Sequence, residues 1–200
     1  MDVLQKYLPE AAVLPVFNLI KKEGVHLKIV HHRTTKHGDY RALADGSHKI
    51  TVNASLNPYQ FLITIVHEIA HLVAFKQYGR RIKPHGIEWK NCFRQLMLPF
   101  LNPEVFPDDL LPVVAQHFKN PKASSDTDLQ LALHLKKYSP NRDLSKKFIF
   151  ELNLGTTFVG PNGKVYRKGN KRIKRFECQE INTGRLWLIS ALAEVEPLET

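Results

Sequence analysis

The chain has 200 residues, 43% of them hydrophobic, and a formal net charge of +10 at neutral pH. This length can bury one good core and leave residues for a small second module. No run of about 18 apolar residues and no export-type amino terminus is present, so we expect a cytoplasmic protein with no membrane partner. The two cysteines, Cys92 and Cys178, exclude a disulfide scaffold and fit a reducing compartment.

The first predicted elements are a helix and a small sheet. Apolar residues recur at helical spacing over residues 9–23, and Gly24 supplies a stop. Strand-like segments follow at residues 25–31, 40–44 and 49–52. Asp45 and Gly46 join the last two segments and are a strong hairpin signal. We expect the three segments to form a small antiparallel sheet.

A longer helix is predicted over residues 58–78, which have no glycine or proline in their interior. Asn57 is a good N-cap, Pro58 suits the first helical position and Gly79 ends the helix. The helix carries the sequence His67-Glu68-Ile69-Ala70-His71. Because positions four apart share one helix face, both imidazoles can point at a single metal ion.

Glu68 lies about 100° around the helix axis from the two histidines, so we do not expect it to be a third ligand beside them. A carboxylate there can instead bind the metal-bound water, take its proton during attack on a carbonyl and return it to the leaving amine. The helix is apolar on most sides, where two imidazoles and a carboxylate would be costly without a partner. The motif therefore predicts a hydrolytic zinc site with His67 and His71 as ligands.

A catalytic zinc usually takes three protein ligands and keeps one position for water. The metzincin pattern fails here, because Ala74 stands where its glycine would be and Gln77 where its third histidine would be. The next candidates are His85 and Glu88, at the start of a second predicted helix. Glu88 has an alternative explanation, since a carboxylate in a first helical turn is favourable by itself. The residues alone leave both candidates open.

The pentad, followed after a short loop by His85-Gly86-Ile87-Glu88-Trp89, resembles the SprT-like family, whose eukaryotic relative is the DNA-dependent protease Spartan. The resemblance is specific up to about Trp89. It implies an α+β fold with a zincin-like domain over residues 1–140 and His85 as the third zinc ligand. It also implies protein substrates that lie on DNA, with a sheet edge beside the metal accepting the substrate as an added strand.

Residues 141–200 are predicted to form a small all-β module. Strand-like segments at residues 148–152, 164–167, 173–178 and 185–189 alternate with turn sequences. SprT-like proteins often end in a zinc ribbon built on two cysteine pairs, but Cys178 is the only cysteine of this tail. We therefore expect a ribbon without zinc ligands, held together by Phe150, Phe158, Tyr166, Phe176 and Trp187.

The tail also carries a dense group of cations with no acid among them. The predicted nucleic-acid-binding residues are Lys164, Arg167, Lys168, Lys171, Arg172, Lys174 and Arg175. Tyr166 and Phe176 are interleaved with them and would give the hairpin aromatic faces for unstacked bases. A solvated basic face is the alternative. Without a base-reading motif, we expect DNA binding that is sensitive to salt and weakly dependent on sequence.

Two functions of different classes follow. The first is a zinc-dependent endopeptidase acting on DNA-associated or DNA-crosslinked proteins, with one catalytic Zn²⁺ on His67, His71 and His85 and with Glu68 as the base. The second is a zinc-containing nucleic-acid-binding or regulatory module with little proteolysis. Glu68 favours the first, because a structural zinc normally closes all four positions with ligands. A nuclease is disfavoured, since its carboxylate-rich metal site is not seen. The sequence gives no indication of oligomeric state.

Overall fold

The computed structural model describes residues 2–31, 33, 36–122, 128–139, 145–173 and 175–198. The chain divides into two compact units, Met1–Pro140 and Asn141–Thr200. The first unit combines helices with a three-stranded sheet, and the second is built on a six-stranded antiparallel sheet. The predicted α+β class is confirmed.

The described residues of the first unit form six α-helices. These are α1 (Asp2–Gln5), α2 (Glu10–Glu23), α3 (Pro58–Tyr78), α4 (Ile87–Met97), α5 (Leu111–Phe118) and α6 (Leu129–Lys137). The predicted glycine stop of α2 is present: Gly24 has a φ of 65°, a left-handed conformation that glycine adopts without a steric cost. Proline at the first position and glycine just beyond the end also place α3 where its sequence predicted it.

The sheet of the first unit contains β1 (Val25–Val30), β2 (Gly38–Ala42) and β3 (His48–Asn53), in the order β1-β3-β2. The hairpin of β2 and β3 is antiparallel as predicted, but β1 pairs with β3 in parallel. The expected all-antiparallel sheet is therefore wrong for its first strand.

The side chain of Asn53 explains the parallel pairing. Its amide group donates hydrogen bonds to the backbone carbonyls of Arg33 and Lys36, and its backbone N–H donates to the carbonyl of His37. The chain that leaves β1 is thereby held across the end of β3 before β2 begins. Strand β3 thus becomes the central strand, as its fully buried Ile50 and Val52 require.

Helix α3 is the central element of the first unit, and most of its side chains are buried. Among the described residues it is the one helix long and apolar enough to cross a membrane, and 61% of its most apolar window is buried. Such burial is the property of a core helix, which is surrounded by its own domain. The helix therefore offers a rigid base for polar groups that it carries inward.

The described residues of the second unit form strands and one 3₁₀ turn, with no α-helix among them. Its strands are β4 (Lys147–Phe148), β5 (Thr157–Val159), β6 (Val165–Arg172), β7 (Arg175–Glu180), β8 (Leu186–Ser190) and β9 (Glu194–Pro197), in the order β4-β9-β5-β6-β7-β8. The strand predicted over residues 148–152 is mostly the 3₁₀ turn Ile149–Glu151. The carboxylate of Glu151 accepts a hydrogen bond from the backbone N–H of Phe148 and so turns the chain.

Three of the five aromatic residues predicted to hold the second unit together are buried, and Phe150 is half-buried against them. Phe158, Tyr166 and Phe176 are buried, but Trp187 is 43% exposed. Lys168 is buried instead: it follows Tyr166 by two positions on β6, so both side chains point inward. Its Nζ donates to the carbonyl of Leu152 and lies 4.2 Å from the centre of the Phe176 ring.

Candidate metal centre and basic surfaces

Helix α3 fixes the two histidines of the pentad. The side chain of Asn57 caps the helix by accepting a hydrogen bond from the backbone N–H of Gln60 at 2.9 Å, and Gly79 ends it. The 21-residue helix has no interior break, so His67 and His71 stay on one face across one turn. The Nε2 atoms of these two side chains lie 3.1 Å apart.

His85 reaches the same point from the chain that connects α3 to α4. Its backbone φ is 58°, in the left-handed region, which histidine occupies more readily than most residues but still at some cost. Gly86 follows as the N-cap of α4 and donates its backbone N–H to the carbonyl of Lys83 at 2.9 Å. A Cβ at Gly86 would lie 2.9 Å from that same oxygen, so the turn requires glycine.

The three Nε2 atoms of His67, His71 and His85 form a nearly equilateral triangle. Its sides measure 3.1, 3.1 and 3.2 Å. A neutral imidazole nitrogen either donates or accepts a hydrogen bond, so in a triangle at least one pair must be donor against donor or acceptor against acceptor. Hydrogen bonding alone cannot satisfy this cluster, whereas a cation at its centre would satisfy all three lone pairs.

The triangle fits zinc. Ligand nitrogens held about 2.0–2.1 Å from a tetrahedral ion are about 3.3 Å from one another, close to the separations seen here. Three imidazoles also match the ligand set of a catalytic site, which keeps one coordination position for water. Among the described residues this is the only group of three or more histidine, cysteine or carboxylate side chains with such convergence.

The histidines are held in the neutral form that metal binding requires. Burial, together with the charges of the neighbouring His71 and His85, lowers the pKa of His67 to about 2. Burial and the charge of His85 lower the pKa of His71 to about 4, and burial lowers the pKa of His85. All three therefore present free lone pairs at neutral pH.

Trp89, fully buried in α4, packs against all three imidazoles. Its ring centre lies 4.6 Å from that of His67, 5.2 Å from that of His71 and 4.7 Å from that of His85. This packing restricts the rotation of the rings and keeps water from one side of the cluster. At the level of sequence, Trp89 is only part of the motif that carries the resemblance, and no contact with the histidines is predicted for it.

Glu68 is buried beside the histidines, and strand β2 holds it in place. A Cβ built at Gly38 would lie 2.5 Å from its Oε1 and 2.8 Å from its Cγ. The carboxylate also accepts a hydrogen bond from the backbone of Tyr40. Burial raises the pKa of Glu68 to about 8, helped by the negative charge of Asp39 and opposed by Arg33 and Lys36. No pattern in the sequence indicates the contact between Glu68 and Gly38.

Glu88, the other candidate ligand, does not join the cluster. It lies in the first turn of α4, where a carboxylate interacts favourably with the helix dipole. Its Oε2 lies near Gly86, 3.0 Å from where a Cβ on that glycine would be.

The sheet of the second unit leaves most of the predicted nucleic-acid-binding residues exposed but buries one of them. Arg167, Lys171, Arg172 and Arg175 are exposed, and Lys164 forms a 2.9 Å ion pair with Glu180. Lys168 is buried and so absent from any exposed basic surface, and Lys174 lies outside the described residues. Tyr166 and Phe176 are core residues, so the aromatic faces predicted for them are wrong.

Trp187 supplies the exposed aromatic ring that those two residues do not. It lies on β8, an edge strand, and lines a cavity of about 290 Å³ together with Arg172, Glu177, Leu186 and Leu188. Its Nε1 donates to Glu180 at 3.0 Å, and Nζ of Lys164 lies 5.9 Å from the ring centre. The ring is thus held by Glu180 beside Lys164 and Arg172, which pair with Glu180 and Glu177 respectively.

The sequence model of the SprT-like family matches residues 7–106, half of the 200-residue chain. The chain is 52% identical over 31 residues to Protein SprT of Pseudomonas fluorescens strain SBW25, which covers 16% of this chain and 19% of that protein. It is 42% identical over 41 residues to Protein SprT of Vibrio parahaemolyticus, covering 20% and 24%. The chain thus matches about a fifth to a quarter of the length of these curated relatives. No solved structure gives a significant match.

Proposed function

Because this chain belongs to the SprT-like family, we propose that it is a zinc-dependent endopeptidase that cuts proteins associated with or crosslinked to DNA. The observation that carries the proposal is the convergence of three neutral imidazoles beside a buried carboxylate. A structural zinc site would have a fourth protein ligand and no use for that carboxylate.

The ligands of the ion would be Nε2 of His67, His71 and His85. Zinc bound there supplies Lewis-acid polarisation of the scissile carbonyl and lowers the pKa of the attacking water. The chain's own contribution is to hold the three nitrogens deprotonated and immobile. Trp89 and the unbroken helix α3 both serve this purpose.

Glu68 is the proton carrier of the proposed reaction. Its carboxylate takes a proton from the attacking water and delivers it to the nitrogen of the leaving amine. Burial favours this role, because a pKa raised to about 8 brings the group near the operating pH, where both proton uptake and release are possible. Gly38 and the backbone of Tyr40 limit where the carboxylate can move.

The substrate would bind along β2. This strand pairs only with β3 in the sheet order and so presents an edge next to Glu68. An extended peptide added to that edge gains main-chain hydrogen bonds that do not depend on its side chains. Such a mode suits an enzyme that must cut many different proteins.

The second unit would bring the enzyme to DNA. Trp187 offers a stacking surface for an unpaired base, with Arg172 and Lys164 nearby for phosphates. The interaction needs no base-edge contacts, so binding should be salt-sensitive and weakly dependent on sequence.

The deciding experiment compares the protein with Glu68→Gln in a cleavage assay on a DNA-binding protein, with and without single-stranded DNA, alongside zinc content. Glu104→Gln, an exposed acid in the same unit, is the matched control. We expect one zinc per chain in all three proteins and cleavage in all but Glu68→Gln. Equal cleavage by Glu68→Gln would contradict the proposed role.

The second candidate is a zinc-containing nucleic-acid-binding module with little proteolysis. It is favoured by the exposed ring of Trp187, which would bind bases whether or not the metal centre is active. One zinc per chain and salt-sensitive DNA binding, without cleavage under any DNA condition, would establish this function instead.

A further inference from the structure

The outer sheet face consists of the side chains of β1, β2 and β3 that point away from the buried Ile50 and Val52. The strand register sets their order. One row across the sheet contains His26, Lys49 and Arg41, and the next contains Lys28, Thr51 and Asp39. Four of these six side chains are basic or imidazole groups and one is acidic, so the face is strongly cationic.

Arg33 adds a fixed guanidinium group to this face. Its Nε donates to Oδ1 of Asn53 at 2.8 Å and its Nη1 to the hydroxyl of Thr51 at 3.0 Å. Its Nη2 is buried and makes no hydrogen bond among the described residues. A buried donor without a partner is costly, and a bound acceptor would remove that cost.

The outer sheet face contains a cavity of about 210 Å³ lined by Arg33, Asp39, Arg41, Lys49 and Thr51. The single acid of this lining is already neutralised: Asp39 accepts from Nζ of Lys36 and from Nε of Arg41, both at 2.8 Å. Arg41 is held in place by that contact. The remaining charge of the lining is positive, and no apolar side chain is present to receive a hydrophobic group.

We propose that this cavity binds a phosphate group of a nucleic-acid backbone, so that the first unit contacts DNA independently of the second. The proposal deepens the DNA association of the proposed function. Nη2 of Arg33 and the two Nη atoms of Arg41 can donate to phosphate oxygens, Lys49 adds a third cation, and the Thr51 hydroxyl has a proton left to donate. Further cations at Lys28 and Lys36 continue the face for neighbouring phosphates.

The test measures binding of the full-length protein to a fluorescent single-stranded oligonucleotide by anisotropy at several salt concentrations. The test variant is Arg41→Gln/Lys49→Gln. The control, Lys6→Gln/Lys22→Gln, removes the same charge from exposed residues elsewhere in the first unit. We expect the test variant to reduce the slope of log K against log salt by about 1, and the control to leave it unchanged. Equal slopes in the two variants would overturn the proposal.

Competition by inorganic phosphate separates the two sources of the same chemistry. One outcome is that inorganic phosphate occupies the cavity while the test variant still binds DNA with an unchanged slope of log K against log salt. In that case the site binds free anions and the nucleic-acid assignment is wrong. Circular dichroism and thermal melting check that the variants fold. If the double variant does not fold, Arg41→Gln alone replaces it. The assay measures DNA binding and does not depend on catalysis. Its result can therefore be interpreted even if the protein proves not to be a peptidase.

Discussion

Gly38 and Glu68 are packed so closely that a methyl group on the glycine would lie 2.5 Å from Oε1 of the carboxylate. Strand β2 therefore limits where the carboxylate of Glu68 can lie, and it can do so only because residue 38 has no side chain. The same methyl group would lie 2.8 Å from Cγ2 of Thr64, on the preceding turn of α3.

Gly38→Ala should reduce peptide cleavage without loss of zinc. The added methyl group must displace Glu68, and a shift of about 1 Å in a catalytic group can cost about 100-fold in rate. The measurement is kcat alongside metal content. Gly38→Ala/Thr64→Ser relieves the contact with Thr64 but not that with Glu68, so it should stay impaired. Recovery of activity in the double variant would assign the effect to Thr64 instead.

His85→Ala should abolish stoichiometric zinc binding. Loss of one ligand from a set of three should lower zinc affinity by more than the 10–100-fold typical of a change beside the ligands. Metal content after dialysis measures this directly, and the rise in melting temperature on adding zinc should disappear as well. His134→Ala, at a half-buried residue of α6 outside the cluster, should keep its zinc. Full zinc content in His85→Ala would refute the three-histidine site.

Trp187→Ala should weaken binding of single-stranded DNA. Stacking of a base on an aromatic ring contributes about 1–3 kcal/mol, which corresponds to a loss of about fivefold or more. Trp187→Phe keeps a ring on which a base can stack and should retain most of the affinity. Anisotropy titrations with oligonucleotides of different sequence would also show whether sequence matters little, as expected. Equal losses in both variants would point to the Nε1 contact with Glu180 instead.

The hydrogen bond between His117 and the carboxylate of Asp128 should stabilise the first unit above about pH 4. Burial raises the pKa of Asp128, but the hydrogen bond from His117 at 2.9 Å and the charge of Lys122 more than offset this and lower it below 3.8. A carboxyl group with a lowered pKa contributes stability above its unfolded pKa and loses it as pH falls through the folded pKa.

Asp128→Asn should therefore lower the free energy of unfolding by about 1 kcal/mol at pH 7, and the difference should shrink below about pH 4. Urea unfolding followed by Trp89 fluorescence in a Trp187→Phe background isolates the first unit. Asp108→Asn, at an exposed acid, is the control and should change little. If the free energy of unfolding of Asp128→Asn stays equally low below about pH 4, the charge of Asp128 is not the source of the loss.

Local signals predicted the metal-bearing helix well. The bounds of α3 follow from Pro58 and Gly79, and the spacing of His67 and His71 follows from the helix itself. His85 required a resemblance, because its convergence depends on a left-handed turn that no local pattern encodes. The parallel pairing of β1 was missed for a similar reason, since it depends on Asn53, whose partners are 17 and 20 residues away.

Burial on β6 to β8 was the least predictable property. Basic and aromatic residues alternate there, and the pattern fits either face of the sheet. The side that points inward is decided by the register, which turns Tyr166 and Lys168 toward the core and leaves Trp187 exposed.

The described core of the second unit contains a single thiol, Cys178, and no cluster of metal-ligating side chains is found among the described residues of this unit. A chelator would therefore remove zinc from the three-histidine cluster of the first unit, while the second unit stays folded. Under the proposed function, the zinc-free protein would remain bound to DNA without cleaving its substrate. The supply of zinc would then control the rate of cleavage without changing the binding of the protein to DNA.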